Sequence, residues 1–546
     1  MSRTLQNREV QFDVSQLTPG SDTIDIPLLT QPTGLRVTGN VLQSTPNDCY
    51  ALRNMYVEKS QQLMAAGNML LRGEVGTAGV DDILTIHCVR YATHRVFVVA
   101  TLTGIWWCGE NAAYLVPEPY TQMTGPAFSG LAVGDRFSFV QWGTNLICTN
   151  PIAGMFEIDL ATKTYSRITD APQDAQFVSL FNGRLFATGI YSNPNRVQWS
   201  VKFSSTDWSG LGSGYEDLAP TSNSGLNTVQ KLFPLSDTTA LLTRSESVDI
   251  VSATDRFDTP FAFTSRHTSI GCIAPFAAVQ VGNGVIVPTY QNIYLVTPEQ
   301  YASIADNIPY RGQGTYRPIT PLKSYAIYNP GLNEYWLITG YSNDTALYKY
   351  SFHTKTWGVQ TINNSNWYSM AWGGSVPVSQ YGYWATYVTY NTIPGTLEYL
   401  TSTDAVYISG NTVIAYSNKD YETGYLQSGS DDGFSYTTVD VWGATPEDSV
   451  TIHHLELVYF SIRLSPNQLD ITVEYSLDFG STWSTYGTTN NTNTTALVGK
   501  LTRLTLWKTI SGPQVRFRIS SSNPVNHYAH ISLVVRAVKG AKVYNG

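Results

Sequence analysis

The sequence predicts an all-β protein: a β-propeller of six to eight blades, preceded by an N-terminal arm and followed by a β-sandwich-like C-terminal domain. Three observations predict it. Short apolar runs, each joined to a second run by a polar turn, recur along most of the chain, which is the pattern of successive hairpins. Aromatic residues make up 12% of the sequence and suit half-buried pleated surfaces, while the strong helix formers show no periodic runs. A ten-residue motif also repeats: Phe156 to Tyr165 (FEIDLATKTY) matches Tyr348 to Trp357 (YKYSFHTKTW) at an offset of 192 residues. Four blades of about 48 residues would produce that offset.

Residues 1–75 have few alternating runs and are expected to form an arm or clasp. Within them, 58–71 (EKSQQLMAAGNMLL) is the best helix candidate of the chain. Residues 76–420 are assigned to the propeller, with hairpins expected at 96–107, 146–158, 184–199, 240–251, 285–296, 335–350 and 397–408. In the repeated motif, an alternating strand leads through a TKT turn into an aromatic that should pack between blades. Residues 421–546 form the last domain. It opens with a polar stretch, SGSDDGFS at 428–435, and strands are expected at 452–462, 469–476, 501–507, 515–520 and 531–538.

Charged residues are only 14% of the 546, against a usual share of about 25%. Much of the surface is therefore uncharged, or covered by partner subunits. A formal charge of −8 argues against tight wrapping of nucleic acid, which needs Lys and Arg to displace counterions, but permits a duplex to slide past. Cys49, Cys88, Cys108, Cys148 and Cys272 are widely spaced and odd in number, so free thiols in a reducing cytoplasm are expected. The first residues lack the apolar core of a signal peptide, and no apolar run is long enough to span a membrane.

Ser476-Leu-Asp478-Phe-Gly480-Ser-Thr482-Trp483 resembles the Asp-box of sialidases and other β-propellers. In that motif Asp and Ser side chains hydrogen-bond a tight turn, Gly supplies a positive φ, and Trp covers the next strand. The expected role of Ser476, Asp478, Gly480, Thr482 and Trp483 is structural. Gly210-Leu-Gly212-Ser-Gly214 lacks the strand-to-helix setting of a phosphate loop and is read as a turn. Asp431-Asp432-Gly433 lacks the alternating oxygen ligands of a calcium loop. His453-His454 should point to opposite faces of a strand, and His527 and His530 have no evident third ligand. No catalytic, cofactor or metal residues are assigned, and no enzyme activity is expected.

Several further segments together are similar to the packaged-DNA stabilisation proteins of short-tailed bacteriophages, the podovirus tail accessory factors that build the ring called the nozzle. They are Arg53-Asn54-Met55-Tyr56-Val57-Glu58; Asn182-Gly183-Arg184-Leu185-Phe186-Ala187 with Asn195 to Ser200 and Thr206-Asp207-Trp208; Thr243 to Ile250 with His267 to Pro275; and Val473 to Ser476, Leu497 to Leu501, Leu506-Trp507-Lys508, Val515 to Ser520 and Pro524-Val525. Ser511-Gly512-Pro513-Gln514 stands where the family carries a compact Gly-Arg pairing.

The resemblance implies a virion protein of the phage tail, assembled in the host cytoplasm as a hexameric ring below portal and adaptor proteins. It also implies contacts with tail fibre or needle proteins, and a lumen that holds double-stranded DNA without tight binding and passes it at ejection. No membrane insertion is implied. The rival reading is a carbohydrate-binding or carbohydrate-cleaving propeller, such as a tail-associated receptor binder or a sialidase-like enzyme. Two acids around one cleft, drawn from residues such as Glu157, Asp159, Glu246 and Asp249, would mark it.

Overall fold

A computed structural model describes residues 24–29, most of 47–109, nearly all of 120–306, much of 324–363, four short segments within 371–416, and 434–542 with gaps. Every regular element among them is a strand. Among the described residues, seven units of four consecutive strands follow one another, at 83–122, 138–167, 175–217, 229–267, 279–303, 325–363 and 371–416. Each of the first six is an antiparallel meander. The seventh is less regular, with a parallel bridge between Val388 and Tyr407.

First strands stand side by side through the second, third and fourth units and through the fifth, sixth and seventh. Shared cores join the first unit to the second and the fourth to the fifth, and the first strand of the seventh, Ala371–Ser375, lies against that of the first, Ile83–Tyr91. The row of units thus closes on itself as a propeller. The strand Met69–Glu74 pairs with Thr412–Tyr416 as a fifth strand of the last unit and then leads directly into the first. Such pairing fastens the two ends of the ring through backbone hydrogen bonds.

Six of the seven expected hairpins coincide with the second and third strands of a unit. Asn145–Asn150 and Gly154–Asp159, for example, bury nearly every residue, so their sequence is strongly apolar. The outer strands are more exposed and carry little apolar signal: Thr164–Arg167, whose start at the aromatic after the TKT turn was expected, and Gly214–Asp217 are mostly solvent-facing. The seventh hairpin was expected at 397–408; its first part lies outside the described residues, and the hairpin present joins Ala405–Ser409 to Thr412–Tyr416.

The repeated motif occupies one place in two units, the turn from third to fourth strand in the second and in the sixth. Four units separate them, as the offset implied. Lys163 and Lys355 both take left-handed φ, 58° and 57°. The Thr162 and Thr164 hydroxyls lie 2.8 Å apart, and those of Thr354 and Thr356 lie 2.6 Å apart. The following aromatic is buried and reaches back toward the preceding unit: the Tyr165 hydroxyl donates to Pro126 O at 2.8 Å and the Trp357 indole N–H to Ile304 O at 2.7 Å.

The C-terminal strands build a two-sheet sandwich. Asp448–Ser461 pairs with both Leu501–Gly512 and Tyr528–Lys542, in one layer. Leu469–Ser476, Ser484–Asn491, Gln514–Ser521 and Phe434–Thr438 form the other. Leu455, Leu457, Leu533 and Val535 face Ile471, Val473, Phe517 and Ile519 in a shared core. The N-terminal segment is laced through both domains. Ile24–Leu28 pairs with Tyr528–Lys542, Cys49–Arg53 with Phe434–Thr438, and Met55–Val57 bridges Thr356–Asn363 to Leu63–Ala65, which also pairs with Tyr528–Lys542.

The helix expected at 58–71 is not formed: Leu63–Ala65 and Met69–Glu74 are strands. Free edges of the C-terminal sheet and of the last unit offer these residues ladder partners, and Gly67-Asn68 interrupts the helical run, so tertiary pairing overrides local propensity.

Candidate functional site

The residues that resemble the Asp-box make a closed turn. Ser476 Oγ accepts from the Gly480 N–H at 2.8 Å and donates to Asp478 Oδ1 at 2.7 Å. Asp478 also receives the Thr482 N–H at 2.8 Å and the Thr482 hydroxyl at 2.6 Å. These bonds, from the Thr482 side chain first, then its N–H and then Ser476, hold the Asp478 carboxyl down to about 2. Gly480 has φ 90° and the preceding Phe479 has φ 59°. The Trp483 ring lies under the Arg518 guanidinium at 4.3 Å.

One residue anchors this turn to the sandwich. Arg516 donates to Phe479 O at 2.9 Å and grips both carboxylate oxygens of Asp440, at 2.8 and 2.6 Å, with both side chains buried. The Ser476 hydroxyl, the Asp478 carboxylate and the Thr482 hydroxyl are bonded to one another within the turn.

A second constellation sits on the propeller axis, where first strands of non-neighbouring units meet. Arg136, ahead of the second unit's first strand, donates to Ser324 O beside the sixth unit at 2.9 Å and lies over the rings of Phe276 and Tyr325 at 5.5 and 5.0 Å. Phe177 of the third unit packs on Phe276 with centroids 4.8 Å apart. Lys231 of the fourth unit lies over Phe233 at 4.9 Å and reaches Phe177 at 6.0 Å. His87 of the first unit stacks on Phe139 at 5.2 Å.

His87 and Lys231 keep part of their surface accessible, yet protein surrounds them on the axis. Desolvation pushes His87 down to about 4, helped by repulsion from Lys231, and pushes Lys231 down to about 8. The axis thus carries aromatic rings, the Arg136 and Lys231 cations and a neutral imidazole. Sequence reasoning passed over these residues; the available signal was a basic residue inside an otherwise apolar first strand, as His87 in ILTIHCVRY or Lys231 in VQKLFP.

The acids named for a hydrolytic cleft are not brought together. Glu157 accepts from Asn145 at 3.0 Å and Ser205 at 3.2 Å. Asp159 caps the next turn through the Ala161 and Thr162 N–H groups. Asp249 is buried in the fourth unit against Arg244 at 3.3 Å, and Glu246 sits in the turn between them, its N–H donating to Asn227 Oδ1. Asp25, Asp159, Asp217 and Asp478 are held below the usual carboxylate range by hydrogen bonds, chiefly from Arg536, Thr162, Arg196 and Thr482 respectively.

Gly210 to Gly214 is a turn organised by Asp207, which accepts the Gly210 N–H at 2.7 Å. His453 meets Thr509 at 2.9 Å while His454 is buried; His527 and Asp431 to Gly433 lie outside the described residues. Among the described residues no three His, Cys, Asp or Glu side chains cluster as metal ligands, and no helix is long and apolar enough to cross a membrane. The five thiols are free; burial raises those of Cys148 and Cys272, the latter to about 12.

The segments that resemble nozzle proteins fall on residues that lock this fold. Asn182 and Gly183, with φ 51° and 70°, make the tight turn of the third unit, and buried Arg184 ties its strands to Ser200 O and Gly212 O. Arg244 holds Asn227 O, Ala219 O and Asp249. A Cβ on Gly271 would stand 2.1 Å from Ser245 O, so only glycine lets the two segments approach.

No protein-family profile matches the sequence, and neither does any curated protein. Among solved structures the chain is similar to the AfRom2 CNH domain, at 8% identity over 65% of this chain and 100% of that one, with a TM-score of 0.37. It is also similar to the extracellular domain of a hybrid two component system from B. thetaiotaomicron, at 10% identity over 87% and 64%, with a TM-score of 0.42. A third is an exo-β-1,3-galactanase from Phanerochaete chrysosporium, at 9% identity over 86% and 100%, with a TM-score of 0.26. Likenesses this distant carry nothing about function.

Proposed function

We propose that this chain is a non-catalytic virion protein, a subunit of the tail nozzle ring of a short-tailed phage that closes the DNA exit channel below portal and adaptor and passes DNA at ejection. The observation that supports the reading is the order of the nozzle-like segments along the chain, each of them a strand with a turn; within them Gly183, Arg184, Arg244, Gly271 and Arg516 fix turns and bind strands together. Two features support it. Arg136, Phe276, Phe177 and Lys231, from different units, approach one another on the propeller axis, and on this reading a duplex runs along the axis of the ring of subunits, not through each propeller. A net charge of −8 fits a wall along which DNA slides.

The carbohydrate-cleaving alternative needs a carboxyl kept protonated near neutral pH and a partner acid across a cleft. Asp25, Asp159, Asp217 and Asp478, held ionised by hydrogen bonds, do not offer that protonated carboxyl. Electron microscopy of the purified chain mixed with portal–adaptor complexes tests the proposal. A closed ring, expected to be hexameric, capping the adaptor agrees with it; a chain that stays unattached and monomeric contradicts it.

A further inference from the structure

The outward face of the long-stranded C-terminal sheet carries a feature that the nozzle reading does not use. In the edge strand Leu501–Gly512, Leu504 and Leu506 face the sandwich core, which turns Thr505, Trp507, Thr509 and Ser511 outward. Trp507 is 71% exposed. Its indole does not stand away from the sheet: it lies over the His454 imidazole on the neighbouring strand, with ring centroids 4.2 Å apart and planes 34° apart.

The cross-strand register continues the row. Trp507 is opposite His454, His454 is opposite Arg536, and Arg536 is opposite Asp25, with which it makes a two-bonded ion pair at 2.7 and 2.9 Å. One step along the same strands, Glu456 opposite Thr505 pairs with Arg503 at 3.2 Å.

Three properties of this row need a common explanation. A tryptophan is held flat with one ring face against the protein and the other facing solvent. His454 beneath it is 7% exposed, and its Nε2 is buried without a hydrogen-bond partner, a cost that core packing does not call for. The platform is flanked on two sides by paired charges, which present neighbouring donors and acceptors at fixed spacing. A flat aromatic surface beside planar donor and acceptor pairs matches one ligand chemistry: a pyranose ring, whose C–H face stacks on the indole while vicinal hydroxyls bond the ion pairs.

We propose that Trp507, supported by His454 and flanked by Arg536–Asp25 and Arg503–Glu456, is a binding platform for a neutral hexopyranose unit of a surface polysaccharide. Opposite charges on each flank cancel, so the platform does not select an acidic sugar. The inference is independent of ring assembly: a nozzle subunit and a free-standing protein could each bear such a site, and failure of either leaves the other standing.

The experiment is titration of the full chain with neutral hexaoses of glucose and of galactose in several linkages, followed by tryptophan fluorescence and calorimetry. Binding of at least one, with a Kd on the order of 0.1–1 mM as suits a single stacking contact, is expected. Trp507→Ala should weaken it at least tenfold and Trp507→Phe should restore part of it, both with wild-type thermal unfolding because residue 507 is exposed. Absence of binding by every hexaose at 10-fold above about 1 mM overturns the proposal, as does binding that Trp507→Ala leaves unchanged. A change in sedimentation on Trp507→Ala without saccharide binding overturns it too, and assigns the platform to contact between copies.

Discussion

At the scale of single residues, the buried arginines do most to fix the fold. Arg516 joins the Asp440 carboxylate, the Asp-box-like turn and the strand Gln514–Ser521, with both charges out of solvent. Removing one partner strands the other charge, so Asp440→Ala should destabilise the C-terminal domain by about 3–5 kcal/mol, read by urea unfolding. Asp478 is exposed, and its effect is a matter of pH. Its folded-state proton affinity, about 2, is below the unfolded value, so its bonds stabilise the turn at pH 4 and above and are lost as pH falls from about 4 toward 2. Asp478→Asn should therefore flatten the acid limb of a plot of melting temperature against pH. An unchanged acid limb would mean that the ionised carboxylate is not what holds the turn. The turn was legible because every polar member is contiguous in sequence; the axis cluster was not, because Arg136 and Ser324 are 188 residues apart and no local pattern connects them.

At the scale of elements, visibility in the sequence followed burial. The middle strands of most units are largely covered and gave clear apolar runs, whereas Ser484–Asn491 (STYGTTNN) is polar, with Ser484, Thr485 and Thr488 exposed, and was not among the expected strands. The N-terminal strands were missed for a different reason: their partners lie hundreds of residues away, as with Asp25 and Arg536, so nothing local distinguishes a short pairing strand from an arm or a helix. The TKT repeat was the most informative signal, because it marks equivalent places four units apart. Its aromatic does the packing between units. Trp357→Ala removes a buried indole and its hydrogen bond to Ile304 O, and should cost about 3–5 kcal/mol; hydrogen exchange should show faster opening in the fifth and sixth units together. Loss confined to the sixth unit would mean that the indole does not couple them.

At the scale of the whole molecule, the chain is tied at both closures: Met69–Glu74 fastens the propeller ring, and the strands between 24 and 65 stitch the sixth unit to the sandwich. On the proposed function, lacing of this kind would suit a subunit that resists the outward force of packaged DNA. The account also limits how DNA is held. With few cations to neutralise phosphates, the free chain should bind duplex DNA only weakly at physiological salt, and tight, salt-sensitive binding in a gel-shift titration would contradict it. On the proposed function, retention in the particle would then depend on the closed ring and its partners acting as a steric stop. The most direct measurement is genome retention by particles assembled with and without this chain, followed as nuclease-sensitive DNA over time. Particles lacking it should package DNA and then leak it, and added chain should stop the leak; particles that keep their genome without it would contradict the nozzle account.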